Sequence, residues 1–412
     1  MADNYKAEYA LLADKLAARG VDIEKVKARA KAQKIEQPSW AFSDAGTRFG
    51  AYKQEGSAVT IEEKIADAAQ VHKFTGVAPT VAVHVLWDFP NGLADVENLS
   101  EYAKSQGVAI GAVNPNVFQG RDYAFGSMTS EDPAVRKKAV DHMIDSVEIG
   151  KKLGSDVLSL WFADGTDYPG QGDFRRRKRY AEESLKAVYN AMPANMRMLI
   201  EYKPFEPASY HTDIADWGMS YVLAQKCGPN AHVLVDIGHH FVSQNIEHLV
   251  SFLIDEERLG GFHFNNHKYA DDDLTVGSIN PYELFLIYNE LIKAEDAPNN
   301  NPPIAYMVDQ GHVTKAKIDA MIQTILHIQT AYAKALCIDR KKLLAAQLAK
   351  DIVTAETCMQ DAFNTDVEPI LKVAREEMGL NPYPLDAFKA SGYWAKMGKE
   401  RGIRTGTGGV GA

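Results

Sequence analysis

Acidic and histidine side chains recur at the ends of four apolar runs in the middle of this chain. Met198-Leu199-Ile200 leads into Glu201-Tyr202-Lys203, and Val233-Leu234-Val235 leads into Asp236-Ile237-Gly238-His239. Phe262 precedes His263, with Asp271-Asp272-Asp273 soon after, and the run from Ile304 to Val308 ends at Asp309. A charged group at the end of a buried strand is costly unless something pairs with it. Four in sequential order point to one shared partner, one or two divalent metal ions. The corresponding chemistry is metal-assisted work on a small ligand.

Asp236 and His239 have the spacing Asp-x-x-His, and Gly238 lets the histidine fold back toward the carboxylate. One carboxylate could bridge two metals while the histidine binds the second. The same residues also fit a helix-capping Asp beside a core histidine, His239 or His240. Asp271 and Asp273 share a side if their segment is extended. Oxygen-rich ligation of this kind suits Mg²⁺, Mn²⁺ or Co²⁺; the alternative is a solvated acidic loop. Glu201 and Lys203, two apart, share a strand face. A lysine there can donate to a substrate oxygen or shuttle a proton, or form a local ion pair. Asp309, before Gln310-Gly311-His312, would close the first metal's shell or form a turn. Trp40, Trp87, Phe118 and Trp161 could wall a pocket and stack on a sugar, or belong to the core. His84, with Trp87-Asp88 close behind, could bond a ring oxygen or a backbone carbonyl.

These side chains need a scaffold. Candidate strands are Ser39–Phe42, Thr80–Trp87, Ala109–Val113, Val157–Phe162, Met198–Tyr202, His232–Ile237, Gly260–Phe264 and Ile304–Val308. Helical patterns lie between most of them, the clearest being Leu284, Ile287, Tyr288, Leu291 and Ile292. Val222 to Lys226 is another, ended by Gly228-Pro229. Strands alternating with helices imply a parallel sheet, and eight suggest an α/β fold of the (β/α)8 TIM-barrel type. A doubly wound open sheet is the alternative; it would gather its ligand at one switch point. Residues 1–36 read as an N-terminal helical segment, with one surface helix over 5–32. The barrel is expected over 37–312 and a C-terminal helical extension over 313–404, with helices at Ile318–Ala335, Lys341–Ala362 and Glu368–Glu377. Residues 405–412 form a Gly-rich tail.

The chain has 412 residues, a hydrophobic content of 46% and an aromatic content of 9%, values of a globular protein with a large core. A net charge of -10 argues against nucleic acid or an anionic membrane as partner. Arg175-Arg176-Arg177-Lys178-Arg179 is the basic exception. It reads as a solvated helix start or an intersubunit salt-bridge patch rather than a phosphate site. Cys227, Cys337 and Cys358 show no metal spacing and fit a reduced cytoplasm. The N-terminus does not read as a signal peptide, and no segment reads as a membrane span.

Several motifs together resemble L-rhamnose isomerase, in its broad-specificity bacterial branch. They are Pro38-Ser39-Trp40, Gly46-Thr47-Arg48-Phe49, Asp164-Gly165 with Pro169-Gly170-Gln171, and Val235-Asp236-Ile237-Gly238-His239-His240. Gly260-Gly261-Phe262-His263-Phe264-Asn265, Lys268-Tyr269-Ala270-Asp271-Asp272-Asp273-Leu274 and Thr365-Asp366-Val367-Glu368-Pro369-Ile370-Leu371 complete the set. The resemblance spans nearly the whole chain. It implies a xylose isomerase-like barrel, usually a homotetramer, with two divalent metals per subunit, Mn²⁺ first and Co²⁺ or Mg²⁺ as alternatives. It implies a structural metal on Glu201, Asp236, His263 and Asp309, and a catalytic metal on Asp236, His239, Asp271 and Asp273. By resemblance Lys203 contacts the substrate's first oxygen, His84 serves ring opening, and Trp40, Phe118 and Trp161 wall the pocket. Phe49 reaches into a neighbour's site. Two departures stand out: Asn266-His267 replaces an Asp-Ser pair, and Tyr202 replaces a histidine, which implies a packing change on the opposite strand face.

The implied reaction is reversible aldose–ketose isomerisation, L-rhamnose to L-rhamnulose, extending to L-lyxose, L-mannose, D-allose and D-ribose. A hydride shift and a cis-enediol route both remain open, the latter with Asp309 or Lys203 as base. The main activity could instead be on D-allose or D-ribose. Rival readings are a ketose 3-epimerase, a metal-dependent hydrolase or nuclease, and a non-catalytic sugar-binding barrel.

Overall fold

Eight short runs, most of them buried and apolar, close into a parallel barrel. The computed structural model describes residues 4–47, 50–206, 210–268, 273–297 and 302–404. Phe49, Asp271 and the 405–412 tail therefore lie outside the described residues. The strands are β1 (Glu36–Pro38), β2 (Thr80–His84), β3 (Ala109–Asn114), β4 (Val157–Leu160), β5 (Arg197–Glu201), β6 (Ala231–Asp236), β7 (Leu259–Phe264) and β8 (Ala305–Val308). Each pairs in parallel with the next, and β1 closes on β8 with Glu36 opposite Met307. Closure removes the sheet edges that a doubly wound sheet would retain.

The barrel has an inner and an outer packing layer. Trp40, Ala82, Ala112, Val157, Leu199, Leu234 and Met307 pack together as a small separate cluster. The larger apolar core includes strand residues such as Val233, Val235, Phe262 and Phe264 and helix residues such as Leu284, Ile287 and Leu291. The strand residues of the two sets alternate along the same strands, Leu234 in one and Val233 and Val235 in the other, as strand geometry requires. One acid shares the lower interior. Glu36 Oε1 accepts from Ala112 N at 2.9 Å. Gly111 is required beside it, because a β-carbon there would lie 1.6 Å from Glu36 Oε2.

The first strand differs from expectation. Ser39–Phe42 is a 3₁₀ turn, and the strand is the three residues before it. Glu36-Gln37-Pro38 has no alternating apolar signature, so its strand character comes from the neighbours on both sides. The turn matters because it carries Trp40 to the top of the barrel.

The helices also break more often than expected. Residues 5–32 form two helices, Tyr5–Ala17 and Ile23–Ala32, separated around Gly20 at φ +74°. Asp22 caps the second by accepting from Glu24 N at 3.0 Å. The expected helix Lys341–Ala362 is likewise two, Arg340–Ala349 and Ile352–Phe363, with Lys350 left-handed and Asp351 as the new cap. Two further helices follow, Pro384–Ala390 and Tyr393–Arg401. The basic run lies in the helix Phe174–Ala191, capped by Asp173. Within it Arg177 turns inward to a buried pair with Asp213 at 2.8 Å. Among the described residues no helix is long and apolar enough to cross a membrane.

Candidate metal centre

The C-terminal ends of β5 to β8 bring the expected acids and histidines to one point. Glu201 ends β5, Asp236 ends β6, His263 is the penultimate residue of β7, and Asp309 follows β8. Among the described residues two overlapping triads result: Glu201, Asp236 and His239, and Asp236, His263 and Asp309. Within each, the ligand atoms lie within 4.8 Å of one another, and Asp236 belongs to both. Asp236, Glu201 and His263 are buried, whereas the Asp309 side chain is 23% exposed.

The local electrostatics suit a cation. His263 Nδ1 lies 3.3 Å from Glu201 Oε2, 3.8 Å from Asp309 Oδ2 and 3.9 Å from Asp236 Oδ2. It is buried and, among the described residues, makes no aligned hydrogen bond. Burial by itself would depress this imidazole, but Glu201, with Asp309 and Asp236, overrides it and raises the pKa to about 9. Burial pushes Glu201 upward, yet His263 and His239 hold it below the ordinary value. Three converging carboxylates and an orphaned ring nitrogen form an oxygen and nitrogen donor set suited to a divalent ion.

Neighbouring groups fix the ligand orientations. His239 Nδ1 lies 3.0 Å from the Tyr202 carbonyl. A proton on Nδ1 satisfies that carbonyl and leaves Nε2 as a lone-pair donor, 4.0 Å from Asp236 Oδ2. Asp236 Oδ1 accepts from Gly238 N at 2.7 Å, and its Oδ2 accepts from Asn265 Nδ2 at 2.9 Å. Gly238 must lack a side chain here, since a β-carbon would sit 2.7 Å from Asn265 Oδ1. Asn265 Nδ2 also reaches Asp273 Oδ1 at 3.3 Å, so Asp273 borders the cluster without joining either triad. Trp40 Nε1 donates to Asp309 Oδ1 at 2.8 Å.

The pocket above has a volume of about 310 Å³, and its lining includes Trp40, His84, Trp87, Phe118, Trp161 and Lys203. Phe118 meets Trp161 edge-on at 4.8 Å, and His84 stacks on Trp87 at 3.8 Å. His84 Nδ1 is 3.1 Å from the Val85 carbonyl, and burial lowers its pKa to about 4. The ring is therefore neutral near pH 7. Lys203 Nζ lies 5.2 Å from the Trp161 ring centre and pairs with Glu206.

His240, left open in the sequence as a core histidine, is one. Its Nδ1 is 3.1 Å from Ile237 O, its Nε2 is 2.6 Å from Tyr202 Oη, and burial lowers its pKa to about 3. Tyr202 thus makes a buried Tyr–His contact behind the candidate metal cluster. Asn266 and Leu274 exchange backbone hydrogen bonds at 2.8 Å. Sequence reasoning missed Asn265, Glu206 and the buried pair Lys64–Asp88. Asn265 alone carried a local signal, being two residues after His263 and on the same strand face.

Comparison with known proteins agrees with this architecture. Residues 65–285 match the family described as the xylose isomerase-like TIM barrel. A probable sugar isomerase of Rhizobium meliloti is 42% identical over 99% of this chain and 95% of its own length. A second, from Mesorhizobium japonicum, is 40% identical over 98% of this chain and 94% of its own. Among solved structures, a D-allulose 3-epimerase from Methylomonas sp. superposes with a TM-score of 0.51 at 14% identity, covering 73% of this chain and 98% of that one. At that identity the likeness concerns the fold. The chain belongs to the xylose isomerase-like TIM barrel family.

Proposed function

We propose that this protein is a metal-dependent aldose–ketose isomerase, an intramolecular oxidoreductase whose first substrate pair is L-rhamnose and L-rhamnulose. L-Lyxose, L-mannose, D-allose and D-ribose follow as further substrates. The observation that carries the reading is the pair of triads sharing Asp236 beneath an aromatic pocket that also holds Lys203. The full-length similarity to probable sugar isomerases supports it, and the motif resemblance described above supports the choice of sugar.

Glu201, Asp236, His263 and Asp309 would hold one divalent ion, and Asp236, His239, Asp273 and Asp271 the other. Such ions, Mn²⁺ first and Co²⁺ or Mg²⁺ as alternatives, supply Lewis-acid polarisation and a lowered water pKa. The chain's own groups do the rest. Trp40, Phe118, Trp161 and Trp87 present ring faces and edges to the sugar's carbon skeleton. Neutral His84 serves the ring oxygen during opening. Lys203 exchanges its contact with Glu206 for the substrate's first oxygen, and Asp309 or Lys203 can move a proton. A homotetramer in which Phe49 completes a neighbouring pocket, located in the cytoplasm, belongs to the same reading.

The test uses the purified chain with L-rhamnose, L-lyxose, L-mannose, D-allose and D-ribose, with chelator and after adding Mn²⁺. Ketose should form from L-rhamnose fastest, stop on chelation and return with Mn²⁺. Lys203→Met should bind Mn²⁺ normally and lose roughly 10²–10⁴-fold in turnover. A metal-loaded protein that forms no ketose from any of the five, or only epimerises ketoses at the third carbon, would sink the proposal.

A further inference from the structure

We infer that the buried Lys64–Asp88 pair is a positioning device: it holds a strained turn closed and thereby sets the His84–Trp87–Trp40 end of the pocket. The identity of the pocket's ligand rests on the sugar-isomerase reading; the clamp does not. Lys64 Nζ lies 2.6 Å from Asp88 Oδ1, and both side chains are 0% exposed. Sealing two ions away from water removes their hydration, and apolar side chains of equal volume would stabilise a core at least as well. A role in geometry is the reading the surrounding contacts favour.

The second oxygen of Asp88 shows what is held. It accepts from His84 N at 2.7 Å and from Ser39 Oγ at 2.5 Å. His84 is the last residue of β2, and Ser39 opens the turn after β1 that carries Trp40. One carboxylate therefore ties two strand ends together, and Lys64 ties that carboxylate to the helix Ile61–Thr75. The chain between His84 and Asp88 is strained. Leu86 has φ +78° and is 43% exposed. A residue bearing a β-carbon avoids this region because of clashes with its own backbone. The reversal at Leu86 folds Trp87 back onto His84, where the rings stack at 3.8 Å and 22°. Asp88 N closes the turn on His84 O at 2.9 Å. Trp40 meets both rings edge-on, 5.8 Å from His84 and 6.3 Å from Trp87. Strain at a pocket wall persists only where surrounding contacts over-determine it, and the Asp88 carboxylate supplies those contacts.

Lys64→Met with Asp88→Asn removes both charges of the pair together. In the Mn²⁺-loaded protein this double variant should raise the sugar KM roughly ten- to a hundredfold, the range expected when a positioning group shifts. With Mn²⁺ held saturating, kcat should change less than KM. Adding Leu86→Gly, which accepts φ +78° freely, should restore most of the lost affinity. Leu86→Val provides a reading at an exposed position with the pair intact: it should raise KM, whereas Leu86→Gly alone should not. An unchanged KM in the double variant, a raised KM that glycine does not rescue, or equal KM in Leu86→Val and Leu86→Gly would overturn the inference. If the natural chain turns over no sugar, the functional reading fails and crystal structures of the same variants still decide the clamp. A double variant that keeps the His84–Trp87 stack refutes it. Loss of the stack, with recovery on adding glycine, supports it.

Discussion

The Trp40 indole acts on a ligand as well as on the pocket wall. Glu201 and Asp236 are buried and held by several neighbours, whereas the Asp309 side chain is 23% exposed. Its Oδ1 is anchored by Trp40 Nε1 at 2.8 Å, leaving Oδ2 to face His263. An outer partner of this kind sets a ligand's orientation, and its loss typically costs 10–100-fold in metal affinity. Trp40→Phe keeps the ring and removes the donor. If the cluster binds Mn²⁺ as proposed, calorimetric titration should show that binding weakened by about 10- to 100-fold; equal affinity would reduce the indole to a packing role. The candidate ligands Glu201, Asp236, His263 and Asp309 were legible because each follows an apolar run, a local signal. The long-range contacts around the site were not. Lys64 and Asp88 are 24 residues apart, and Asn265 and Asp236 are 29 apart. Only closure of the barrel makes partners of such residues.

At the scale of elements, runs with strong periodicity were readable and those specified by their neighbours were not. β6 is buried along its whole length and reads as an apolar run. β1 is three residues of mixed character and forms because β2 and β8 offer backbone partners on both sides. The last helices show the same dependence. Tyr393–Arg401 is short, and a long-range contact fixes its position. Arg401 reaches buried Asp67 through Nη1 at 2.7 Å and Nη2 at 3.0 Å, and Tyr393 Oη donates to the same carboxylate at 2.7 Å. Asp67 lies on Ile61–Thr75, the helix that carries Lys64. Arg401→Met leaves a buried carboxylate with one partner fewer and no counter-charge from that helix, which should destabilise the fold by about 3–5 kcal/mol. Urea denaturation measures this. A loss below about 1 kcal/mol, the level of an exposed pair, would mean that the contact contributes little.

At the scale of the whole molecule, buried neutral histidines contribute to the response to acid. His84 lies at the C-terminal end of β2 and His232 near the N-terminal end of β6, at opposite ends of the barrel. Burial lowers both to about 4, with Arg197 and Arg258 adding to the effect at His232. The unfolded chain binds these protons near pH 6.5 and the folded chain only near pH 4. Between those values the unfolded state holds more protons, so stability rises with pH and falls as acid is added. Each such group should remove on the order of 2–3 kcal/mol between pH 7 and pH 4.5. His232 isolates the effect because it sits at the other end of its strand from Asp236, and among the described residues its Nδ1 has no hydrogen-bond partner. His232→Gln cannot protonate in either state, so its urea midpoint should fall less between pH 7 and pH 4.5 than that of the natural chain. Parallel losses in the two proteins would mean that His232 takes up its proton in the fold, and that the acid response originates elsewhere in the barrel.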